Sequence, residues 1–563
     1  MGGKDFRLCA YEPAASRALH SRRLRGAPDA IEYTRHQSLH HDRVCLLKSM
    51  TRHLILCLLL VAWLSAWSWG ADHYVWASAA GSGTGANCTN AYTGFGTGAG
   101  QINPASMTRG DTYWVGAGSY GNVAFTTSAS GSSVITIEAM TAANHGSASD
   151  CGSAYASASS QATFIGSSDS SFSTNYWTMN GQAVAGCTYP SNDPSCYNIR
   201  IQNTADCNNG AINFPTVGSS NYTLDYLDVK GTGTGVSCPT GNGDLGFYAP
   251  NGHVNNLYVG HSYVHETGNT QFQFNYYDGA VSNNHTYEYN WVYFNHASKN
   301  GTHDEAYSCY CSNLIVRYSV FQDITWTGII TDAGSASPAM SNWEVYGNLF
   351  FWDSAYATNN CTPGTGLNGG LAQLQDGIVA FLGETMSGHI YFYNNTMAGI
   401  WNGCMDDSGQ GASTLAISGS GSSGTVTVVQ ENNLWVGSGY ATGDYTEYCA
   451  ANGSATCTHD YDAFYQNGIT AGDFTSYSEA HGYTVSGSTN PFVNIGASTI
   501  AGFEPSSPDP FASHAGTSLS SPYNTDMLGV IRGANGTWDR GALQISGSST
   551  TPTPPTGLTA IVH

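Results

Sequence analysis

Charged residues are scarce in this chain of 563 residues, and basic ones are the scarcest. Only 10% of the residues are Asp, Glu, Lys or Arg. After Gly70 the chain holds 7 Lys and Arg against 34 Asp and Glu, a formal charge of −27, and its only lysines there are Lys230 and Lys299. So acidic a chain repels a phosphate backbone, which excludes nucleic acid as an expected partner.

Long hydrophobic runs are also missing, apart from Leu54–Leu64. Arg52 and His53 precede this run and Ser68-Trp69-Gly70 follows it, which is the pattern of a secretory signal peptide over residues 50–70. The run is too short for a membrane span. Residues 1–49 hold nine of the 17 Lys and Arg residues. We therefore predict that they are a non-native upstream extension, with a genuine but unstructured extension as the alternative.

The cysteine count fits an exported protein. Three of the 15 Cys precede the expected cleavage site, which leaves an even number of twelve. In an oxidising compartment such residues form disulfides that close short loops. Cys309-Tyr310-Cys311 lacks a second C-x-C or a His at zinc spacing, which disfavours a zinc site. Short loops separate Cys187 and Cys196, Cys207 and Cys238, Cys361 and Cys404, and Cys449 and Cys457.

A ladder of imperfect repeats runs from about Asn221 to Val436. Each repeat has one apolar residue, four mostly polar or small residues, and a second apolar residue, and successive repeats begin 27 to 47 residues apart. Periods of this length are typical of solenoids, whose neighbouring units bury each other's apolar faces. The apolar pairs are Leu224/Val229, Val259/Val264, Tyr289/Phe294, Val316/Phe321, Val345/Phe350, Phe392/Met397 and Val429/Leu434.

The repeats have the composition of strands, because they are rich in Tyr, Val, Phe, Trp and Thr and they alternate. Two or three short strands per turn, with Gly- and Asn-rich corners, are typical of a parallel β-helix, and a β-propeller is the main alternative. Asn348, Asn395 and Asn432 take the same place in three repeats, so we expect stacked amides that bond to one another. A second strand set is predicted at 211–214, 245–248, 272–274, 306–308, 328–330 and 377–379.

Both ends of the expected domain carry motifs. Near the start stand Arg109–Val115, Gly118-Ser119-Tyr120 and Val134–Ile137, and near the end stands Trp538-Asp539-Arg540-Gly541-Ala542. The chain resembles secreted proteins of the pectate-lyase-like superfamily, which open with a "GDT … G-x-Y … I-T-I" run and close on "D-x-G-A-Y". This resemblance implies an all-β fold, a right-handed parallel β-helix with long loops, over residues 71–545. Residues 546–563 are expected to be a Ser/Thr/Pro-rich linker or a truncated tail.

Polar residues follow the second apolar residue in several repeats. His265-Glu266, Asn295-His296 and Gln322-Asp323 stand there, with Lys230 before them and Asp353 after them. Strands on adjacent rungs lie about 4.8 Å apart, so these groups are predicted to form one stripe. Such a stripe is suited to a long polymer, although an ordinary solvated face is the simpler interpretation.

The densest cluster of reactive side chains is Lys299–Glu305. The resemblance suggests a polysaccharide lyase first, in which a base removes a proton and a cation neutralises the uronate carboxylate. Lys299 or His303 is the predicted base and Arg317 the predicted cation, although Arg317 could instead pair with Glu288 or Glu344. Ca²⁺ is a possible cofactor, with Asp304, Glu305 and Asp332 as its predicted ligands.

Two other functions stay open. A glycoside hydrolase needs two carboxyl groups beside the bond, and the candidates are Glu266, Asp304, Asp323 and Asp332. A non-catalytic surface adhesin would only present a binding face. In each case the expected partner is an extracellular polysaccharide and the expected state is a secreted or cell-surface monomer. The predicted sugar-contacting residues are His265, His296, Trp326 and Trp352.

Overall fold

The computed structural model describes most of the domain between Gly70 and Ile545, and all described residues fall in one compact unit, Gly70–His563. For some strands only the main chain is described. The described residues are 70–151, 161–182, 186–205, 210–232, 245–267, 270–274, 279–293, 305–324, 327–332, 339–353, 361–362, 366–367, 377–382, 385–401, 415–418, 426–438, 448–449, 456–465, 479–485, 490–494, 498–506 and 515–545.

Three long parallel sheets form the domain, and the chain passes from sheet A to sheet B to sheet C on each turn. This confirms the predicted right-handed parallel β-helix. Sheet A comprises Asp72–Val75, Thr112–Val115, Ile135–Ala139, Trp177–Asn180, Ser219–Asp225, Val254–Gly260, Ser282–Glu288, Cys311–Arg317, Ala339–Tyr346, Thr385–Tyr393, Val426–Glu431 and Thr456–Asp460.

Sheet B comprises Gly118–Ser119, Ala162–Gly166, Ile199–Asn203, Leu227–Lys230, Tyr263–His265, Trp291–Tyr293, Val320–Gln322, Leu349–Phe351, Thr396–Trp401, Leu434–Ser438, Ala463–Tyr465 and Tyr483–Val485. Sheet C comprises Ala124–Phe125, Ser170–Phe172, Gly210–Asn213, Leu245–Tyr248, Phe272–Phe274, Tyr307–Cys309, Thr327–Asp332, Gly377–Leu382, Leu415–Ser418 and Tyr448–Cys449. The remaining elements are an antiparallel pair, Cys361–Thr362 and Gly366–Leu367, and two 3₁₀ turns, Pro194–Cys196 and Ile500–Phe503.

The inward faces of the sheets fill the interior with stacked side chains. Strand residues alternate between the two faces, so the same apolar column recurs on every rung. Phe321 lies on Phe350 with ring centroids 4.4 Å apart, and Phe247 lies on Phe272 at 4.7 Å. These rings are fully buried, and their burial supplies the hydrophobic stabilisation that no single short strand could provide.

The strand pairing confirms five of the seven predicted apolar pairs and corrects two. Val259 pairs with Tyr287 and Val264 with Val292, so the third repeat is Tyr287/Val292. Tyr289 instead lies two residues on, at the corner, with φ 53°. The last repeat is Gln430/Trp435, because Phe392 pairs with Gln430 and Met397 with Trp435. The sequence pattern missed this repeat because Gln430 is a buried polar residue in an otherwise apolar column.

The corner between sheets A and B is nearly the same on every rung. Its first residue has a left-handed conformation, as in Tyr226, His261 and Tyr318 with φ between 45° and 55°. On the rungs from Ser262 to Asn433 its second residue is a buried amide or hydroxyl that bonds to a neighbouring rung. Asn348 Nδ2 donates to Asn395 Oδ1 at 3.1 Å, and Asn395 Nδ2 donates to Asn433 Oδ1 at 3.2 Å.

This confirms the expected amide ladder with one correction, since its third member is Asn433 and not Asn432. Asn432 is the preceding left-handed residue, and it bonds to Thr517 of the C-terminal segment. The ladder also begins earlier than predicted, because Asn290 Nδ2 donates to Val259 O at 3.0 Å in the same geometry. Each amide thus satisfies main-chain groups that the corner would otherwise leave buried and unbonded.

The two end motifs are structural closures. At the start, Asp111 Oδ1 accepts a hydrogen bond from the main chain of Ala71, and its Oδ2 lies 2.8 Å from His73 Nε2. At the end, Asp539 Oδ2 accepts from Ile545 N, and buried Arg532 donates to the carbonyl oxygens of Asp539 and Gly541. The first motif fixes the first sheet A strand, and the second holds the C-terminal segment together.

The described residues include the predicted disulfide Cys187–Cys196 and two further ones, Cys88–Cys151 and Cys309–Cys311. The other three predicted pairs depend on side chains outside the described residues. Among the residues that the structure describes, no helix is long and apolar enough to cross a membrane.

Candidate active site

The predicted polar stripe lies at the end of sheet B, where each strand turns toward sheet C. Lys230 pairs with His265, His265 with Tyr293, and Tyr293 with Gln322. Tyr293 therefore takes the place that the sequence assigned to Asn295, because that repeat was read two residues out of register. Asn295 and His296 lie outside the described residues. The remaining members still form one continuous edge.

A buried ion network supports this edge from one side. Asp228 is fully buried, and its Oδ2 lies 2.6 Å from Arg200 Nη2 and accepts a hydrogen bond from Gln161 Nε2 at 3.0 Å. Its Oδ1 lies 2.8 Å from His265 Nε2. Burial alone raises the pKa of Asp228, but the bonds to His265, Arg200 and Gln161 outweigh it and lower that pKa. Because Asp228 is ionised, Nε2 of His265 carries a proton and donates a hydrogen bond to Asp228 Oδ1.

His265 connects the buried network to the edge. Burial lowers the pKa of His265, but the two flanking carboxylates, Asp228 and Glu266, raise it by more. Its Nδ1 lies 3.3 Å from Glu266 Oε1, an ion-pair contact that is not aligned as a hydrogen bond. The ring also stacks on Tyr263 with centroids 3.9 Å apart. Asp228, Glu266 and Tyr263 thus hold the His265 ring in one orientation, and Asp228 determines which nitrogen bears the proton.

Glu266 is held as a carboxylate. His265 and then Lys230, whose Nζ lies 2.9 Å from Glu266 Oε2, lower the pKa of Glu266 to about 2. The Glu266 side chain is 26% exposed, so solvent or a ligand can reach it. The residue has φ 54°, a left-handed conformation that is uncommon outside glycine and asparagine.

Asp323 has the opposite environment. It is 2% exposed, and burial, followed by repulsion from Asp353, raises the pKa of Asp323 well above its ordinary value. Its Oδ1 accepts a hydrogen bond from the main chain of Asp353 at 2.9 Å. Its φ of 58° matches that of Glu266, and both residues directly follow a sheet B strand. Burial therefore favours the protonated form of Asp323, at the same corner position where Glu266 is favoured as a carboxylate.

Tyr293 lies on the rung between the two carboxyl groups. Burial raises the pKa of Tyr293 to about 12, and the charges of Asp323, Asp353 and Glu266 contribute. The edge thus holds Glu266, Tyr293 and Asp323 on or directly after three consecutive sheet B strands, and the two carboxyl groups have opposite pKa shifts.

Of the lyase residues predicted from the sequence, the structure describes Arg317, which does not lie at this edge. Arg317 ends a sheet A strand, where its guanidinium contacts Glu288 and its Nη1 donates to Tyr346 Oη at 2.8 Å. The alternative role, a salt bridge with Glu288, is what the structure shows. Lys299, His303 and Asp304 lie outside the described residues. They belong to the segment 294–304, which follows Tyr293 directly in the chain.

The predicted Ca²⁺ ligands and sugar contacts are only partly described. Glu305 is buried and its Oε2 accepts from Thr270 Oγ1 at 2.9 Å, while Asp332 is described for its main chain only. Ca²⁺ therefore stays a prediction. Trp352 is 2% exposed and its Nε1 donates to Ile324 O, which favours a core role over sugar contact. Trp326 lies outside the described residues.

Three residues of the edge were not predicted from the sequence: Arg200, Asp228 and Tyr293. A signal for the first two was present. Arg200 stands between Ile199 and Ile201, and Asp228 between Leu227 and Val229, so alternation places both side chains on the outer face. Their pairing across adjacent strands then follows from the register, which the irregular loop lengths conceal.

No protein-family model matches the sequence, and no curated protein matches it. Among solved structures, pectate lyase Pel9A aligns with 85% of this chain and 98% of its own, at 12% identity and a TM-score of 0.34. The Dettilon tailspike protein aligns with 63% of this chain and 62% of its own, at 9% identity and a TM-score of 0.21. Alignments this distant assign no family, site or activity to the chain.

Proposed function

We propose that this right-handed parallel β-helix is a glycoside hydrolase that acts on a neutral extracellular polysaccharide. The observation that carries the proposal is the pair Glu266 and Asp323. They occupy the same corner position on one edge, and their surroundings move their pKa values in opposite directions. Two carboxyl groups separated in this way are the acid and base that glycosidic hydrolysis requires.

The spacing supports an inverting reaction. Two rungs separate the residues, or about 9.6 Å along the helix axis at about 4.8 Å per rung. Inverting hydrolases place their carboxyl groups about 6.5–9.5 Å apart and retaining ones about 5–5.5 Å apart, so a rung separation of about 9.6 Å is nearer to the inverting arrangement, which leaves room for a water molecule. Asp323 would donate its proton to the leaving glycosidic oxygen. Glu266 would take a proton from the water that attacks the anomeric carbon from the opposite side.

The other edge residues have positioning roles in this scheme. Lys230 and His265 keep Glu266 ionised, and Asp228 with Arg200 fixes His265. Tyr293 lies between the two reacting carboxyl groups, where its hydroxyl could bond to a sugar hydroxyl.

The local charge favours a neutral glycan. This edge has three acidic residues, Asp228, Glu266 and Asp353, and two basic ones, Arg200 and Lys230. The chain after Gly70 as a whole is strongly acidic. A uronate polymer would meet no free cation among the described residues of this edge, since Lys230 and Arg200 are paired. The β-elimination hypothesis stays a prediction that depends on Lys299 and His303. Secretion is supported by the disulfides Cys88–Cys151 and Cys187–Cys196.

The test is an activity assay of the full chain, with disulfides formed, against neutral and acidic polysaccharides. Hydrolysis should release reducing ends from a neutral polymer without the ultraviolet absorbance of an unsaturated product, and the released sugar should have inverted anomeric configuration. Absorbance that requires Ca²⁺ would replace this proposal with the lyase. Binding without any product would replace it with the adhesin.

Glu266→Gln and Asp323→Asn should each lower kcat at least about 100-fold, the usual contribution of an acid or base. Glu344→Gln is the matched control, because Glu344 is a sheet A carboxyl with a 24% exposed side chain, close to the 26% of Glu266. Its activity should equal that of the parent chain. Equal losses in all three variants would contradict the assignment.

A further inference from the structure

A histidine interrupts an apolar column in the interior. His285 is fully buried in sheet A, where its partners on the adjacent strands are Leu257 and Leu314. Phe274 packs edge-on against its ring at 5.1 Å. An imidazole in such surroundings is costly unless its nitrogens are bonded, so this residue requires a specific explanation.

The hydrogen bonds of His285 fix which nitrogen bears the proton. Its Nε2 lies 2.8 Å from the carbonyl oxygen of Val254, which can only accept, so Nε2 donates. Nδ1 therefore carries a lone pair, and it lies 2.9 Å from the Tyr287 hydroxyl. Metal-binding histidines often donate from one nitrogen to a carbonyl in this way while the other nitrogen binds the ion, which here would replace the Tyr287 hydroxyl at Nδ1.

Two sulfur atoms face the same nitrogen. Cys311 Sγ lies 3.5 Å from His285 Nδ1 and Cys309 Sγ lies 4.0 Å from it, and all three atoms lie within 4.8 Å of one another. Sulfur at about 2.3 Å and nitrogen at about 2.0 Å from a tetrahedral zinc ion would be separated by roughly 3.5 Å. The two cysteines form a disulfide with each other in this structure.

We propose that His285, Cys309 and Cys311 bind one Zn²⁺ ion when the cysteines are reduced, and that the Cys309–Cys311 disulfide replaces the metal. Reduction by a small dithiol adds two electrons and two protons to the disulfide and converts the reductant to its own disulfide. Zinc then displaces the two thiol protons. Two thiolates, a neutral imidazole and Zn²⁺ have no net charge, which suits a site with no solvent access.

The sequence disfavoured zinc at Cys309-Tyr310-Cys311 because no histidine stands at the usual spacing. The fold provides one from the preceding rung. Cys311 pairs with Ser282 at the start of the sheet A strand that contains His285, and Cys309 ends the sheet C strand just before the corner. One turn of the solenoid therefore brings His285 close to Cys309 and Cys311, which lie 24 and 26 residues later in the chain.

The experiment refolds the full chain with a dithiol reductant and a slight excess of Zn²⁺ or Co²⁺, then removes loosely held metal. The Cys187→Ala/Cys196→Ala chain serves as the reference, because it lacks two thiols but keeps the proposed site. We expect the Cys309→Ala/Cys311→Ala chain to hold one metal equivalent less than the reference and to lose thiolate-to-cobalt absorption. His285→Leu, which continues the column of Leu257 and Leu314, should show the same loss.

A second measurement does not depend on any variant. Alkylation of Cys309 and Cys311 in the reduced parent chain, followed by mass spectrometry, should be slower with zinc than with a chelator. Zinc should also slow the oxidation of this pair by a small disulfide. Equal metal content in the reference and site variants, or an alkylation rate that zinc does not change, would overturn the proposal.

Discussion

Glu138 lies on a sheet A strand and Glu266 at the corner after a sheet B strand, and their surroundings move the pKa values of the two carboxyl groups in opposite directions. Burial raises the pKa of Glu138 to about 8, with a bond to Asn180 opposing and the charge of Asp225 adding to the rise. Glu266 has His265 and Lys230 beside it, and its pKa falls to about 2. The difference is the presence of a cationic partner.

This difference predicts how stability depends on pH. Because the pKa of Glu138 rises from its ordinary value of 4.5 to about 8 on folding, its contribution is complete below pH 4.5 and is lost as the pH rises toward 8. Glu138→Gln should remove that loss and be more stable than the parent chain at pH 8, by about 1–3 kcal/mol. Urea unfolding at pH 5 and pH 8 measures this, and parallel pH profiles for the two chains would contradict it.

The buried network around Asp228 predicts a larger effect at any pH where Asp228 is ionised. Asp228→Ala leaves Arg200 and His265 without their shared partner, which should cost about 3–5 kcal/mol. Glu344→Gln, which changes a 24% exposed carboxyl group 3.5 Å from His389, should cost less than about 1 kcal/mol. Chemical denaturation of the two variants is the measurement. Similar costs would mean that the network adds no stability.

At the scale of single elements, two asparagine ladders run along sheet A. One is buried at its corner with sheet B and includes Asn395. The other is exposed near the start of the strands, where Asn313 Nδ2 donates to Asn284 Oδ1 at 3.0 Å and both residues have left-handed φ angles. The two ladders satisfy different needs. The buried one completes main-chain bonding, and the exposed one permits a left-handed kink in each strand.

Asn395→Ala should therefore cost more than Asn313→Gly. The first leaves the main-chain groups of Asn348 and Val345 without partners inside the protein, at about 1–3 kcal/mol per group. The second keeps the left-handed conformation and loses only two solvent-exposed amide hydrogen bonds, one to Asn284 and one from Asn342, so we expect a cost below about 1 kcal/mol. Thermal unfolding should rank the two variants in this order, and the reverse order would show that the buried ladder is not needed.

The elements were largely predictable, and the register was not. Alternation and β-rich composition identified the sheet B strands and the strand set that forms sheet C. The choice between Tyr287 and Tyr289 could not be made from sequence, because both are aromatic and lie two residues apart, on the same parity. Only the corner geometry separates them. The same two-residue error moved Tyr293 out of the predicted site and Asn295 into it.

At the scale of the whole molecule, the C-terminal segment from Ala515 to Ile545 returns along the helix and packs on earlier rungs. Tyr523 lies against Tyr346 and Tyr393 with ring centroids 4.8 and 4.9 Å apart, and Tyr318 Oη lies 2.8 Å from Thr525 Oγ1. The closing motif recognised in the sequence predicted that this segment ends the domain. Its contacts with earlier rungs could not be predicted, because the motif does not indicate which rungs the segment packs against.

Gly541 tests how closely this segment is fitted. A Cβ there would lie 2.4 Å from Thr396 Oγ1 and 3.0 Å from Leu434 Cβ, whereas one at Gly536 would meet nothing within 4 Å. The φ angles, 88° and 90°, are nearly equal, so both Ala substitutions carry the same backbone strain. Gly541→Ala should therefore be less stable than Gly536→Ala by about 1–3 kcal/mol. Calorimetric midpoints that coincide would show that the segment is loosely packed.

The returning segment also limits how the protein can change length. It contacts both Tyr318 and His481, so the number of turns between these two residues must match the length of the segment. A whole turn inserted there would misalign every contact beyond the insertion. Between Trp177 and Gly260 no described contact of the segment sets such a limit, and there the ion pairs of Asp228 with Arg200 and His265 fix the order of the rungs instead. Related chains should therefore keep the number of turns between Tyr318 and His481.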